Sequence, residues 1–132
     1  MTTYLLDANV LIALTFTDHE HHELASTWAA GGQQLAVCPI VEGALVRFLL
    51  RIGESAHSAK SLLDSLHATS RYAFWPDSLS FRDTNLEDVH GHRQVTDSYL
   101  ASLAGSKGGM LATLDRALAV RHPAIVELVS GG

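Results

Sequence analysis

Short runs of consecutive apolar residues alternate along the chain with longer segments whose apolar residues recur every three or four positions. The short runs predict buried β-strands, at residues 3–6, 35–38, 72–75, 110–113 and 125–129. The periodic segments predict amphipathic α-helices, one beginning at residue 11 and others at 18–30, 40–51, 55–69, 95–105 and 116–121. A polar stretch at 77–93 has no clear period and predicts a loop.

This order of elements predicts an α/β fold: a three-layer α/β/α sandwich around a central, mainly parallel sheet. The chain has 132 residues and no linker rich in Pro, Gly or Ser, so we expect one domain spanning residues 1–132. In sheets of this kind, binding and catalytic sites lie beyond the carboxyl ends of the strands. Residues that follow the predicted strands are therefore the first candidates for function.

Composition fits an intracellular globular protein. The chain is 47% hydrophobic and 17% charged, and its one cysteine, Cys38, excludes an intramolecular disulfide. The apolar opening segment contains Asp7 and Asn9 and lacks the basic leader of a signal peptide. We therefore expect a cytoplasmic location and no contact with a membrane. The net charge of −5 is unlike that of a general nucleic-acid binder. Carboxylates that hold a cation are included in this count as negative charges, so the net charge does not exclude a nuclease.

Four acidic residues stand where the pattern favours apolar ones. Asp7 follows the first predicted strand, and Asp115 closely follows the fourth. Glu42 and Asp97 each lie near a helix start, on the same face as the apolar residues three, four and seven positions later. Each acid alone has an ordinary explanation, as a helix cap or as a charge that complements the helix dipole. Together they predict a cluster of carboxylates at one edge of the sheet.

A cluster of carboxylates needs a compensating cation, because burial of an unpaired charge is costly. The chain has only nine lysines and arginines, and none is spaced to pair with these acids on the apolar faces. Mg²⁺ and Mn²⁺ prefer oxygen ligands, and a bound ion of this kind activates water and stabilises charge on a phosphodiester. Asn9 and Thr113 lie two residues from Asp7 and Asp115, where they can orient a bound water or a carboxylate.

The four acidic segments, LLDANVLIAL, VEGALVRFL, VTDSYLASLA and LATLDRAL, resemble the motifs of PIN-domain toxins of the VapC family in order, spacing and flanks. The resemblance implies a PIN-domain fold, Mg²⁺ or Mn²⁺ dependence and endonucleolytic cleavage of RNA. It also implies a VapB-type antitoxin as partner and a toxin homodimer. It assigns the catalytic and metal-binding roles to Asp7, Glu42, Asp97 and Asp115. Some members of the family carry a further acid soon after the last Asp, but residues 116–119 of this chain contain none. The resemblance therefore leaves open whether the site holds one metal ion or two.

Two other groups of residues were candidates for function. His19, His21 and His22 invite a zinc interpretation, but a closed zinc site needs four ligands, and we interpret the segment as a polar helix start. Arg116 adjoins Asp115 and is our first choice for a contact with RNA phosphate, ahead of Arg47 and Arg51, although an exposed arginine has no necessary function.

Three other functions fit part of the pattern. A phosphatase with an aspartyl nucleophile wants a second acid two residues after Asp7, where this chain has Asn9. A phospho-acceptor domain would need an Asp after a middle strand, which Asp77 resembles, and a lysine after the last strand, which neither lysine provides. A non-catalytic binding module would not need all four acids.

The acidic cluster also suggests how a partner would silence it. We expect an inhibitory segment to place a basic side chain within hydrogen-bonding reach of Asp7, Glu42 or Asp97. We expect its apolar residues to pack near the early helices, in a groove around Leu11, Trp28 and Leu45.

Overall fold

A parallel five-stranded sheet forms the centre of the fold, in a computed structural model that describes residues 1–130. The strands lie in the order β3-β2-β1-β4-β5, and all four neighbouring pairs are parallel. The predicted sheet is therefore confirmed, with the first strand at its centre. The strands are β1 (Thr3–Leu6), β2 (Gln34–Val37), β3 (Tyr72–Phe74), β4 (Met110–Thr113) and β5 (Val126–Leu128).

Helices cover both faces of this sheet, which confirms the three-layer fold. From β1 the chain moves outward to β2 and β3, then returns past β1 to β4 and β5. Because parallel crossovers are right-handed, these two directions place their helices on opposite faces. The first four helices pack together, whereas the fifth contacts β1 and β4 and the sixth contacts β4 and β5. They are α1 (Ala8–Thr15), α2 (His22–Ala29), α3 (Pro39–Arg51), α4 (Ala56–Ala68), α5 (Val95–Ser106) and α6 (Arg116–Arg121).

The core consists of aliphatic side chains from the sheet and from the inner faces of the helices. Leu5, Leu6 and Leu111 of the central strands are completely buried. Tyr99 of α5 is also buried, and its hydroxyl donates to the Leu79 carbonyl at 2.9 Å and accepts from the Leu79 amide at 3.3 Å. This contact fixes the otherwise irregular segment between β3 and α5, which contains two 3₁₀ turns, Phe81–Asp83 and His92–Gln94.

Three expectations about the early helices are wrong. The first helix, expected from residue 11, begins at Ala8, because the Asp7 side chain caps it by accepting the Val10 amide. The helix expected at 18–30 begins only at His22, because backbone hydrogen bonds from the His19 amide to Phe16 and from the His22 amide to His19 form turns before it. Leu11 and Leu45 are completely buried and Trp28 is 9% exposed, so they form core rather than a groove. Across the part of the chain that the structure describes, none of the helices has the length and apolar character needed to cross a membrane.

Strands are added to one side of β1 as far as β3 and to its other side from β4 onward. This change of side, between β1 and β4, determines where a site can form. Helices that leave neighbouring strands toward opposite faces open a crevice at the carboxyl ends of those strands. Here the crevice lies between the end of β1, at Leu6, and the end of β4, at Thr113.

Candidate active site at the carboxyl edge of the sheet

Asp7 lies at the bottom of the crevice, directly after β1. It is 6% exposed, and its backbone amide donates to the Ala112 carbonyl of β4 at 3.1 Å. As the N-cap of α1, it accepts the Val10 amide on Oδ1 at 2.9 Å. The carboxylate therefore has one fixed orientation, set by a strand on one side and a helix on the other.

Thr113 joins the ends of the two central strands. Its hydroxyl is fully buried, donates to Asp7 Oδ2 at 2.5 Å and accepts from the Asp115 amide at 3.0 Å. One side chain thus positions Asp7 and the backbone of Asp115, although Asp7 and Thr113 are 106 residues apart in the chain.

Asp115 begins α6 in the same way that Asp7 begins α1. Its Oδ1 accepts the amides of Ala117 at 2.9 Å and Leu118 at 3.3 Å. Its Oδ2 accepts no hydrogen bond from residues 1–130 and is available to a ligand. The side chain is exposed, so it forms the open rim of the site above the buried Asp7.

The electrostatics of Asp7 and Asp97 show that three carboxylates share this crevice. The pKa of Asp7 is raised to about 6: burial is the main cause, the charges of Asp97 and Asp115 add to the rise, and the hydrogen bonds from Thr113 and Val10 oppose it. Asp97, in the first turn of α5, also has a raised pKa, because of burial and the Asp115 charge, which Arg121 opposes. The structure thus brings Asp7, Asp97 and Asp115 together.

Glu42, the fourth predicted acid, lies in the first turn of α3. Its Oε2 is 2.5 Å from Nε2 of His67, near the end of α4, and its side chain is 15% exposed. The His67 ring also lies 5.5 Å from the Phe74 ring at the end of β3. The sequence did not indicate this partner, because residues 25 apart on different helices leave no periodic signal.

An open cavity of about 400 Å³ lies beside the carboxylates, lined by Asn9, His19, Glu20, His21, Leu114 and Asp115. The predicted Asn9 is exposed on its wall. The histidine segment, which the sequence predicts to be a polar helix start, lines this cavity through His19 and His21, because the chain folds back after α1. The zinc interpretation gains no support, since His22 Nδ1 contacts the Ala13 carbonyl at 2.7 Å and His19 Nδ1 accepts the His21 amide at 3.0 Å.

Two arginines accompany the acids. Arg116, the candidate for a phosphate contact, is exposed directly after Asp115. Arg121, which the sequence did not single out, lies close enough to Asp97 to lower its pKa. Its Nε is buried without a hydrogen-bond partner among the described residues.

The carboxylates have the oxygen ligands that a hard divalent cation prefers, but they do not enclose a cation on all sides. Among residues 1–130, no three His, Cys, Asp or Glu side chains converge tightly enough to enclose a metal ion. Mg²⁺ does not require such a cage, because it retains several waters and is commonly held by one or two carboxylates. A bound cation would favour the ionised form of Asp7, whose pKa is raised to about 6. It could also bind Oδ2 of Asp115, which accepts no hydrogen bond from the described residues.

Comparisons with known proteins agree with this geometry. Residues 4–122 match the PIN domain. The chain is 51% identical over 128 residues to Ribonuclease VapC29 of Mycobacterium tuberculosis, covering 96% of each protein. It is 35% identical over 127 residues to Ribonuclease VapC39 of the same organism, covering 89% of this chain and 91% of that one.

The fold also has a counterpart among solved structures. A chain in the crystal structure of VapBC2 from Rickettsia felis, bound to a DNA fragment from its promoter, aligns with a TM-score of 0.67 at 20% identity. The alignment covers 96% of this chain and 98% of that chain. At this identity the likeness concerns the fold alone.

Proposed function

We propose an activity for this chain on the premise that it belongs to the PIN-domain family and, within that family, to the VapC ribonucleases. It is a divalent-metal-dependent endoribonuclease and the toxin of a toxin–antitoxin pair. The observation that supports this most strongly is the buried Asp7, fixed by the Thr113 hydroxyl and coupled electrostatically to Asp97 and Asp115 in the crevice. A carboxylate with this pKa and these neighbours is suited to holding a cation at an edge that substrate can reach.

Asp7, Asp97 and Asp115 would hold Mg²⁺ or Mn²⁺, with Glu42 as a further candidate. The bound ion supplies activation of water and neutralisation of charge on the phosphodiester. The chain's own residues do the positioning: Thr113 and the Val10 amide hold Asp7 in one orientation, and the α6 amides hold Asp115. Asn9 offers an amide to substrate or water on the cavity wall, and Arg116 offers a cation for phosphate.

The direct test is cleavage of structured RNA with added Mg²⁺ or Mn²⁺, with and without EDTA. We expect cleavage that EDTA abolishes and that Asp97→Asn reduces by at least 100-fold. Asp88→Asn is the matched control, because Asp88 is an exposed loop acid outside the crevice. Metal-independent cleavage, or equal cleavage by the two variants, would contradict the assignment.

The other hydrolase and signalling functions fit the site less well. An aspartyl phosphatase would need a proton donor where the exposed Asn9 amide stands. A phospho-acceptor role for Asp77 conflicts with its place after β3, an edge strand. The same cleavage assay distinguishes a non-catalytic binding module, which would bind RNA but would not cleave it with or without metal.

The proposed partners are a VapB-type antitoxin and a second copy of the toxin. The solved counterpart of the fold is described as a VapBC complex, which supports the first partner. We expect an arginine or lysine of the antitoxin to reach Asp7, Glu42 or Asp97. Alanine replacement of each basic antitoxin residue should identify one whose loss restores cleavage. Sedimentation equilibrium of the isolated toxin tests the homodimer.

A further inference from the structure

A second concavity adjoins the acidic crevice and shares part of its wall. It is a groove of about 270 Å³ between α1 and α3, lined by Ala8, Asn9, Ile12, His19, Ala44, Arg47, Phe48 and Arg51. Asn9 and His19 also line the cavity beside Asp115. The two concavities therefore adjoin at these residues, an arrangement that would let a chain-like ligand extend from the carboxylates into the groove.

The groove differs from the rest of the protein in charge. The whole chain carries a net charge of −5, yet the groove lining contains two arginines and no carboxylate. Arg47 and Arg51 are exposed, and neither forms an ion pair with any residue in 1–130. Positive charge without an internal partner, next to a site for phosphodiester chemistry, favours an anionic ligand.

The two guanidinium groups are arranged along the path of the groove. Arg47 folds back along α3, so that its Nη1 would lie 3.4 Å from a Cβ placed on Gly43, one turn nearer the carboxyl edge. Arg51 follows one helical turn later on the same face, with Cβ atoms about 5–6 Å apart. This spacing suits successive phosphates of a single strand.

The floor of the groove offers a place for a base. Phe48 is partly exposed and is held by an edge-to-face contact with Phe16, with ring centroids 5.3 Å apart. Ile12 lies beside it in the lining. An aromatic ring fixed in this way provides a stacking surface that does not depend on base identity.

We propose that this groove, defined by Asn9, Ile12, His19, Arg47, Phe48 and Arg51, binds the single strand of RNA on one side of the scissile phosphate. Arg47 and Arg51 contact flanking backbone phosphates, and Phe48 contacts a base. The proposal rests on the ribonuclease function proposed above and adds the path of the substrate through the protein. It implies that part of the affinity for RNA lies outside the acidic crevice.

The experiment measures binding separately from cleavage. All proteins carry Asp97→Asn to keep the strand intact, and the probe is a fluorescently labelled, random-sequence 20-nucleotide RNA in Mn²⁺. Fluorescence anisotropy gives Kd across a series of NaCl concentrations. The groove variant is Arg47→Gln with Arg51→Gln. The matched control is Arg82→Gln, which removes an exposed arginine from a distant 3₁₀ turn.

We expect the groove variant to raise Kd about tenfold at low salt and to reduce the slope of log K against log salt by about 1.4, or about 0.7 for each lost contact. The control should match the parent, and all melting temperatures should agree. Unchanged Kd and slope in the groove variant, or equal weakening by Arg82→Gln, would overturn the proposal. So would an unchanged RNA Kd with weaker antitoxin binding, which would make the groove a protein-docking site. Failure of the proposed ribonuclease function would appear separately, as intact RNA in the wild-type cleavage assay.

Discussion

At the scale of the single residue, Asp7 shows how a functional carboxyl group opposes the stability of its own fold. Its pKa is raised from 3.8 to about 6, mainly by burial. The folded protein therefore binds this proton more tightly than the unfolded chain does. Between pH 4 and pH 6 the native state loses stability as pH rises, and above that range the whole penalty of the buried charge is present.

We predict that Asp7→Asn stabilises the metal-free protein at pH 7. The rise of the pKa from 3.8 to about 6 corresponds to about 2–3 kcal/mol, and the side-chain oxygen of Asn can still accept the Val10 amide. Urea unfolding in EDTA should show no gain near pH 4 and the full gain above pH 6. Asp88→Asn should change little at any pH. A gain of equal size at pH 4 and pH 7 would mean that ionisation of Asp7 is not its source.

Sequence patterns indicate where single residues lie on strands and helices, but they do not indicate which side chains form hydrogen bonds with one another. Asp7 and Thr113 were identified because apolar runs mark strand ends in the sequence itself. That the Thr113 hydroxyl bonds the Asp7 carboxylate depends on β4 pairing in register with β1, which no local pattern encodes. Likewise, Glu42 was found through its helix face, but His67 depends on how two helices pack.

At the scale of the element, the Glu42–His67 contact joins the first turn of α3 to the end of α4. We predict that His67→Ala lowers kcat/KM by about tenfold, because an unanchored ligand or substrate contact loses its orientation. The free energy of unfolding should fall by no more than about 1 kcal/mol, since the pair is partly solvated. His67→Gln, which retains a donor, should recover most of the activity. Wild-type kinetics in His67→Ala would show that His67 does not position Glu42 for the reaction.

Gly109 controls the pairing of the two central strands. A Cβ there would lie 2.5 Å from the Thr3 carbonyl oxygen and 2.9 Å from the Trp75 ring, and a strand backbone cannot move aside cheaply. We predict that Gly109→Ala destabilises the protein by about 2–3 kcal/mol in urea unfolding. Gly91→Ala is the control, because its Cβ would meet open space and its φ of −153° suits any residue. Equal stability of the two variants would contradict this close approach.

Most elements could be predicted because each has its own hydrophobic period. The second helix was placed too early because Asp18 resembles a cap, whereas the turns after Phe16 determine where the helix begins. The segment at 77–93 had no period to interpret. Its conformation is fixed by the distant Tyr99 hydroxyl, so only the folded structure describes it.

At the scale of the whole molecule, the repelling carboxylates predict that cation binding and folding are coupled. A cation that binds only the folded state stabilises it by about 2.7 kcal/mol at a concentration 100-fold above its Kd. We predict that Mn²⁺ raises the melting temperature of the wild type by several degrees and that of Asp97→Asn much less. Asp88→Asn should respond like the wild type. Equal shifts in wild type and Asp97→Asn would place the cation elsewhere.

The central position of β1 has a consequence for the order in which the protein is made. β1, which directly precedes Asp7, is synthesised before the other strands, but its neighbour β4 follows about 100 residues later in the chain. Until then Asp7 has neither its hydroxyl partner nor the acids of α5 and α6 beside it. A nascent chain that stops before Asp115 therefore contains no complete acidic crevice. If the proposed activity is correct, the nascent chain cannot cleave RNA before α6 has been synthesised.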